Sequence, residues 1–85
     1  MSLSVLEPRV ETAEPAAVDW LGVVAREKAA LAMAVRLGDW MSQGYSHRAL
    51  GQAALALGDQ RRGRQQLAEG TYILRALGID PDPAA

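Results

Sequence analysis

The residues best equipped for chemistry in this 85-residue chain are a single histidine, His47, and a cluster of arginines, Arg61, Arg62 and Arg64. A histidine works as a general acid, general base or metal ligand only inside a constellation of partners. The sequence offers His47 none. It contains no Glu-x-x-His or His-x-x-x-His pair, no glycine-rich phosphate loop ending in Lys-Ser/Thr, and no Gly-x-Ser-x-Gly element. A lone histidine on a helix is more often packed or solvated than catalytic. The expectation is therefore a protein that is not an enzyme, with no cofactor, metal or small-molecule substrate.

The arginines raise a different possibility. With Arg48 and Arg75 nearby in sequence, Arg61, Arg62 and Arg64 could meet an acidic partner, and the run from Tyr45 to Leu50 with the later turn at Gly58 faintly suggests a helix-turn-helix. A small nucleic-acid-binding regulator using this cluster is the alternative reading. Against it, the chain as a whole carries a net charge of −1, and no aromatic residues interleave with the arginines. Nucleic acid is an unlikely partner on these grounds, and a solvated arginine face or an acidic protein segment fits better.

Charge is unevenly spread. Residues 1–19 hold Glu7, Glu11, Glu14 and Asp19 against Arg9. Residues 20–78 hold eight Lys and Arg (Arg26, Lys28, Arg36, Arg48, Arg61, Arg62, Arg64, Arg75) against Glu27, Asp39, Asp59 and Glu69. Asp80 and Asp82 follow. An acidic leader and tail thus flank a basic body, with any fold-back of the leader weakened by salt screening. Pro8 and Pro15 and the lack of apolar periodicity predict an extended or disordered leader over residues 1–17. Pro81 and Pro83 mark residues 79–85 as a flexible tail. There is no cysteine, and no apolar run approaches the roughly 20 residues of a membrane span. The start shows no secretory signal pattern, so a cytoplasmic location is the default.

The elements that must position these residues are helices. The chain is 49% hydrophobic, mostly Ala, Leu and Val, and such Ala/Leu/Arg mixtures favour helix. Leu37-Gly38-Asp39 returns 20 residues later as Leu57-Gly58-Asp59, and again in altered form as Leu77-Gly78-Ile79-Asp80. Glycine closes a helix C-terminus in the left-handed conformation, and the following aspartate accepts backbone N–H bonds at the next helix start. Three helices are predicted, about Val18–Leu37, Trp40–Leu57 and Gln60–Leu77. Connections this short force successive helices to run antiparallel. Within the second and third helices stand Gly44 and Gly51, then Gly63 and Gly70, each pair seven apart and so on one face. An interior glycine costs about 1 kcal/mol relative to alanine. Four of them imply two helices approaching too closely for a methyl group.

The stretch from His47 to Asp59 resembles the first helix and turn of a tetratricopeptide repeat, and Arg61–Gly78 resembles a lengthened second helix. The family's Leu-Gly pair is matched by Leu50-Gly51, and its small residue three positions on by Ala54. In the second helix, Gly63, Leu67 and Gly70 match the small, large and small positions. Departures are His47 where a large residue often starts the first helix, and Pro81 several residues later than the closing proline. Residues 18–37 fit the second helix of a preceding repeat. The wording is most similar to repeats of large bacterial multidomain regulators and signalling proteins. The resemblance implies an all-α, antiparallel three-helix module over residues 18–78, about one and a half repeats. It also implies a protein–protein interaction or adaptor role, and places partner contacts on Tyr45, Arg48, Gln52 and Leu55, to which the charge argument adds Arg61 and Arg62. Arrays of this kind need about three repeats. The apolar residues around the first helix therefore predict burial by a second copy or another protein, as a homo-oligomer or hetero-complex.

Overall fold

A computed structural model describes residues 17–82, and within them the protein is all α-helix. Residues 1–16 of the expected leader and 83–85 of the expected tail lie outside the described residues. The helices are α1 (Trp20–Leu37), α2 (Trp40–Ala56) and α3 (Gln60–Ala76).

Each boundary has a local cause. Asp39 stands in extended conformation and its carboxylate accepts the Ser42 N–H at 3.0 Å. Asp59 does the same for Arg62 N–H at 3.1 Å. Asp19 does it for Gly22 N–H at 2.9 Å, so α1 starts at Trp20 rather than at the expected Val18. At the other ends, Gly38, Gly58 and Gly78 have φ of 69°, 93° and 80°, the left-handed region that glycine enters without strain. Each is followed by the paired backbone bonds of a Schellman ending. At the α1–α2 joint, Gly38 N–H donates to Val35 C=O (3.2 Å) and Asp39 N–H to Ala34 C=O (2.9 Å). At the α2–α3 joint, Gly58 N–H donates to Leu55 C=O (3.0 Å) and Asp59 N–H to Ala54 C=O (2.8 Å). Asp39 and Asp59 thus close one helix with their amide and open the next with their carboxylate.

The middle helix organises the packing. α2 packs on both neighbours, whereas α1 and α3 share no close backbone approach. The four interior glycines lie in the α2–α3 contact. A Cβ on Gly51 would come within 2.8 Å of Leu67 N and 2.9 Å of Gly63 O. One on Gly70 would come within 2.6 Å of Gly44 O and 2.8 Å of Arg48 N. One on Gly44 would strike Leu74 Cγ and Cδ2 at 2.7 Å, and one on Gly63 the Leu55 Cδ2 at 2.5 Å. The partners descend along α3 as α2 ascends, so these two helices run in opposite directions. Backbones this close leave little room for side chains, and the core is correspondingly small: Ala34, Leu50, Ala53, Ala54, Ile73 and Leu74. The buried Gln43 ties α2 to α1, its Nε2 donating to Ala34 C=O at 3.4 Å.

Candidate functional site

The residues on α2 singled out from the sequence separate into two groups. Tyr45 and Gln52, seven apart, are exposed on the face turned away from both neighbours. Arg48 and Leu55, also seven apart, turn instead into the α2–α3 contact. Leu55 lies over Gly63 and is half-buried there. The stem of Arg48 crosses Gly70, its Nη1 donates to Thr71 Oγ1 at 2.8 Å, and its Nη2 meets Asp82 Oδ1 at 3.1 Å. Packing of the stem and two directed bonds hold this guanidinium in place, with its edge toward the acidic residue beyond Pro81. The structure therefore gives Arg48 and Leu55 packing work within the chain, and leaves Tyr45 and Gln52 facing outward.

The arginine cluster opens α3, and Arg61, Arg62 and Arg64 are all exposed. Two of the three already have local partners: Arg62 Nε lies 3.7 Å from Asp59 Oδ2, and Arg64 Nη1 donates to Gln60 Oε1 at 3.4 Å. His47 is half-buried, with Nδ1 2.6 Å from Gln66 Oε1, a link between α2 and α3. Its Nδ1 is thus engaged by a neutral amide. Among the described residues no three His, Cys, Asp or Glu side chains gather as metal ligands would.

One charged group stands apart electrostatically. Asp39 is held below the ordinary aspartate range, first by the Ser42 hydroxyl, which donates to Oδ2 at 2.6 Å, and next by the Ser42 backbone N–H. Both bonds favour the ionised form. This serves the α2 start rather than a reaction.

Two further surfaces take shape in the structure, the second walled in part by Leu21 and Val24 of the apolar α1 face that the sequence had already marked. The first lies where α1 ends, α2 begins and α3 ends. There Trp40, Tyr72, Ile73, Ala76 and Leu77 line an apolar recess of about 270 Å³. Trp40 is 58% exposed and Tyr72 72% exposed. The second is a groove of about 300 Å³ at the opposite end, over the second half of α2. Leu50, Ala54 and Leu57 form its floor, Leu21, Val24 and Lys28 of α1 one wall, and Asp59, Arg62 and Gln66 of α3 the other. A sequence signal for both existed in Trp40 and Leu57, large apolar residues placed beside the polar joints, where a three-helix packing has nothing to cover them. Comparison of the chain with protein-family models, curated proteins and solved structures gives no match. Among the described residues no helix is long and apolar enough to cross a membrane.

Proposed function

We propose that this chain is a protein–protein interaction module, an adaptor with a tetratricopeptide-like helical surface, that associates with a second copy of itself or joins a larger complex and carries out no catalysis. The observation that carries this reading is the uncovered apolar end of the module. Trp40, Tyr72 and Leu77 are each about half or more exposed and, with Ile73 and Ala76, line a recess between α2 and α3. Contiguous apolar surface of this kind marks association sites, and Trp and Tyr are the residue types that dominate binding energy at interfaces. Tyr45 and Gln52 are exposed as well, on the outer face of α2. The array argument points the same way: among the described residues α1 packs on α2 alone and buries only Ala34.

The test is light scattering on the purified chain across micromolar concentrations, paired with capture of partners from the native host by the wild type and by Trp40→Glu. Association that the substitution abolishes, with helicity retained, supports the reading. A monomer that captures the same proteins with or without Trp40 removes it.

A further inference from the structure

The groove at the opposite end has a match in the chain's own sequence. Residues 1–16 carry Leu3, Val5, Leu6 and Val10 among Glu7, Glu11 and Glu14, with Arg9 the one basic residue. The groove offers an apolar floor of Leu50, Ala54 and Leu57, with a cation on each wall, Lys28 of α1 and Arg62 of α3. The one acid in the walls, Asp59, pairs with Arg62 at 3.7 Å, so the walls together carry one positive charge in excess. We propose that this groove is the docking site of the chain's own N-terminal segment, with apolar side chains from Leu3 to Val10 seated between α1 and α3 and the glutamates turned toward Lys28 and Arg62.

Position, reach and chemistry agree on this occupant. The described chain begins at Ala17, four residues before Leu21 in the groove wall, so the segment joins the molecule at the groove's own end. Sixteen extended residues span roughly 50 Å, whereas α1 is about 27 Å long, so every part of the groove is within reach with slack. Attachment also supplies the segment at an effective concentration on the order of millimolar. Modest apolar burial with screened ion pairs is then sufficient, where a free peptide of the same sequence would bind weakly. Leu21, 71% exposed, and Leu57, 48% exposed, are the side chains such docking would cover. The inference is independent of the association surface around Trp40, which lies at the other end of the helices.

The chain contains no cysteine, so Leu6→Cys with Gln66→Cys introduces its only two thiols. Under mild oxidation of dilute protein, a monomeric disulfide is expected to form about tenfold faster than in the control pair Leu6→Cys with Ala68→Cys, reflecting the local concentration set by docking. Ala68 is exposed on α3 and does not line the groove. Deleting residues 1–16 is expected to lower the thermal midpoint by about 4–8 °C, the shift of a modest stability loss in a domain of this size. Replacing Glu7, Glu11 and Glu14 by Gln is expected to slow the Gln66→Cys cross-link at low salt and to leave it unchanged at high salt. Equal rates for the two cysteine pairs overturn the proposal. So does a disulfide-linked dimer as the main product at every dilution, which would assign the groove to a second copy.

Discussion

Replacing Gly70 by alanine should destabilise this protein, although in an open helix the same change would stabilise it. In an exposed helix interior, alanine is favoured over glycine by about 1 kcal/mol. At Gly70 the new methyl carbon would stand 2.6 Å from Gly44 O and 2.8 Å from Arg48 N, against the 3.4 Å at which ordinary contact begins. Arg48 Cγ also stands at 2.6 Å, but the other two obstructing atoms are backbone, so no rotamer change relieves them, and α2 and α3 must part by up to about 0.8 Å along that line. Parting them loosens Leu74 and Ile73, two of the few buried large side chains. Overpacking of this kind costs about 1–3 kcal/mol. With the propensity gain set against its upper range, the net loss is about 1–2 kcal/mol. In a domain this small that lowers the thermal midpoint by roughly 5–15 °C. Far-ultraviolet circular dichroism melts and urea unfolding supply the measurement, with an unchanged denaturant slope showing that the same transition is compared. Gly44→Ala is the internal comparison, because its methyl meets only side-chain atoms of the buried Leu74 at under 3 Å and no backbone, and its loss should be smaller. A Gly70→Ala protein that melts higher than the wild type would refute the close-approach argument outright.

Three other outcomes follow from the same geometry. Asp59→Ala removes the carboxylate from the Arg62 N–H and should cost about 1 kcal/mol, the usual loss of an N-cap, seen as a lower urea midpoint. Because the pKa of Asp39 is lowered in the folded state, its contribution to stability is present above the unfolded value near 3.9 and is lost as pH falls through the folded value. Ser42→Ala should move the Asp39 carboxyl titration, followed by carbon chemical shift, back toward the ordinary range, so that the acid loss becomes smaller and is complete at a higher pH. Arg48→Met keeps the stem over Gly70 while removing the bonds to Thr71 and Asp82, so hydrogen exchange should quicken at the Ile79 and Asp82 amides while the centre of α2 stays protected.

The joints are legible because their chemistry is local. A glycine that must be left-handed followed by an aspartate that must cap reads the same in one dimension as in three, and the 20-residue spacing places α2 and α3 to within a residue. Asp19 belongs to the same series, standing 20 residues before Asp39 and, like it, followed by tryptophan. No Leu-Gly precedes it to mark a joint, which is why the sequence pattern alone starts α1 two residues early. The division of the α2 residues is also encoded. Once Gly44 and Gly51 are assigned to the α3 side, Arg48 and Leu55, each four residues on, must share that side, since residues four apart lie one above the other on a helix. Tyr45 and Gln52 are then left on the outside. What the sequence withholds is the pair of surfaces around Trp40 and Leu57. Their exposure depends on α1 and α3 standing apart across α2, a fact about three helices at once that no single stripe contains.

The third joint differs from the first two by one residue, and the difference changes what the chain can do next. At Gly38-Asp39 and Gly58-Asp59 a single aspartate makes both the closing and the opening bond. After Gly78 the closing bond goes to Ile79, whose N–H donates to Leu74 C=O at 2.8 Å, while Asp80 is displaced onto the N–H of Asp82, past Pro81. The inserted isoleucine thus acts as a full stop in an otherwise repeating grammar. Deleting Ile79 and appending a helical phrase patterned on Trp40–Ala56 would restore the punctuation, making this chain a natural starting unit for engineered arrays lengthened 20 residues at a time.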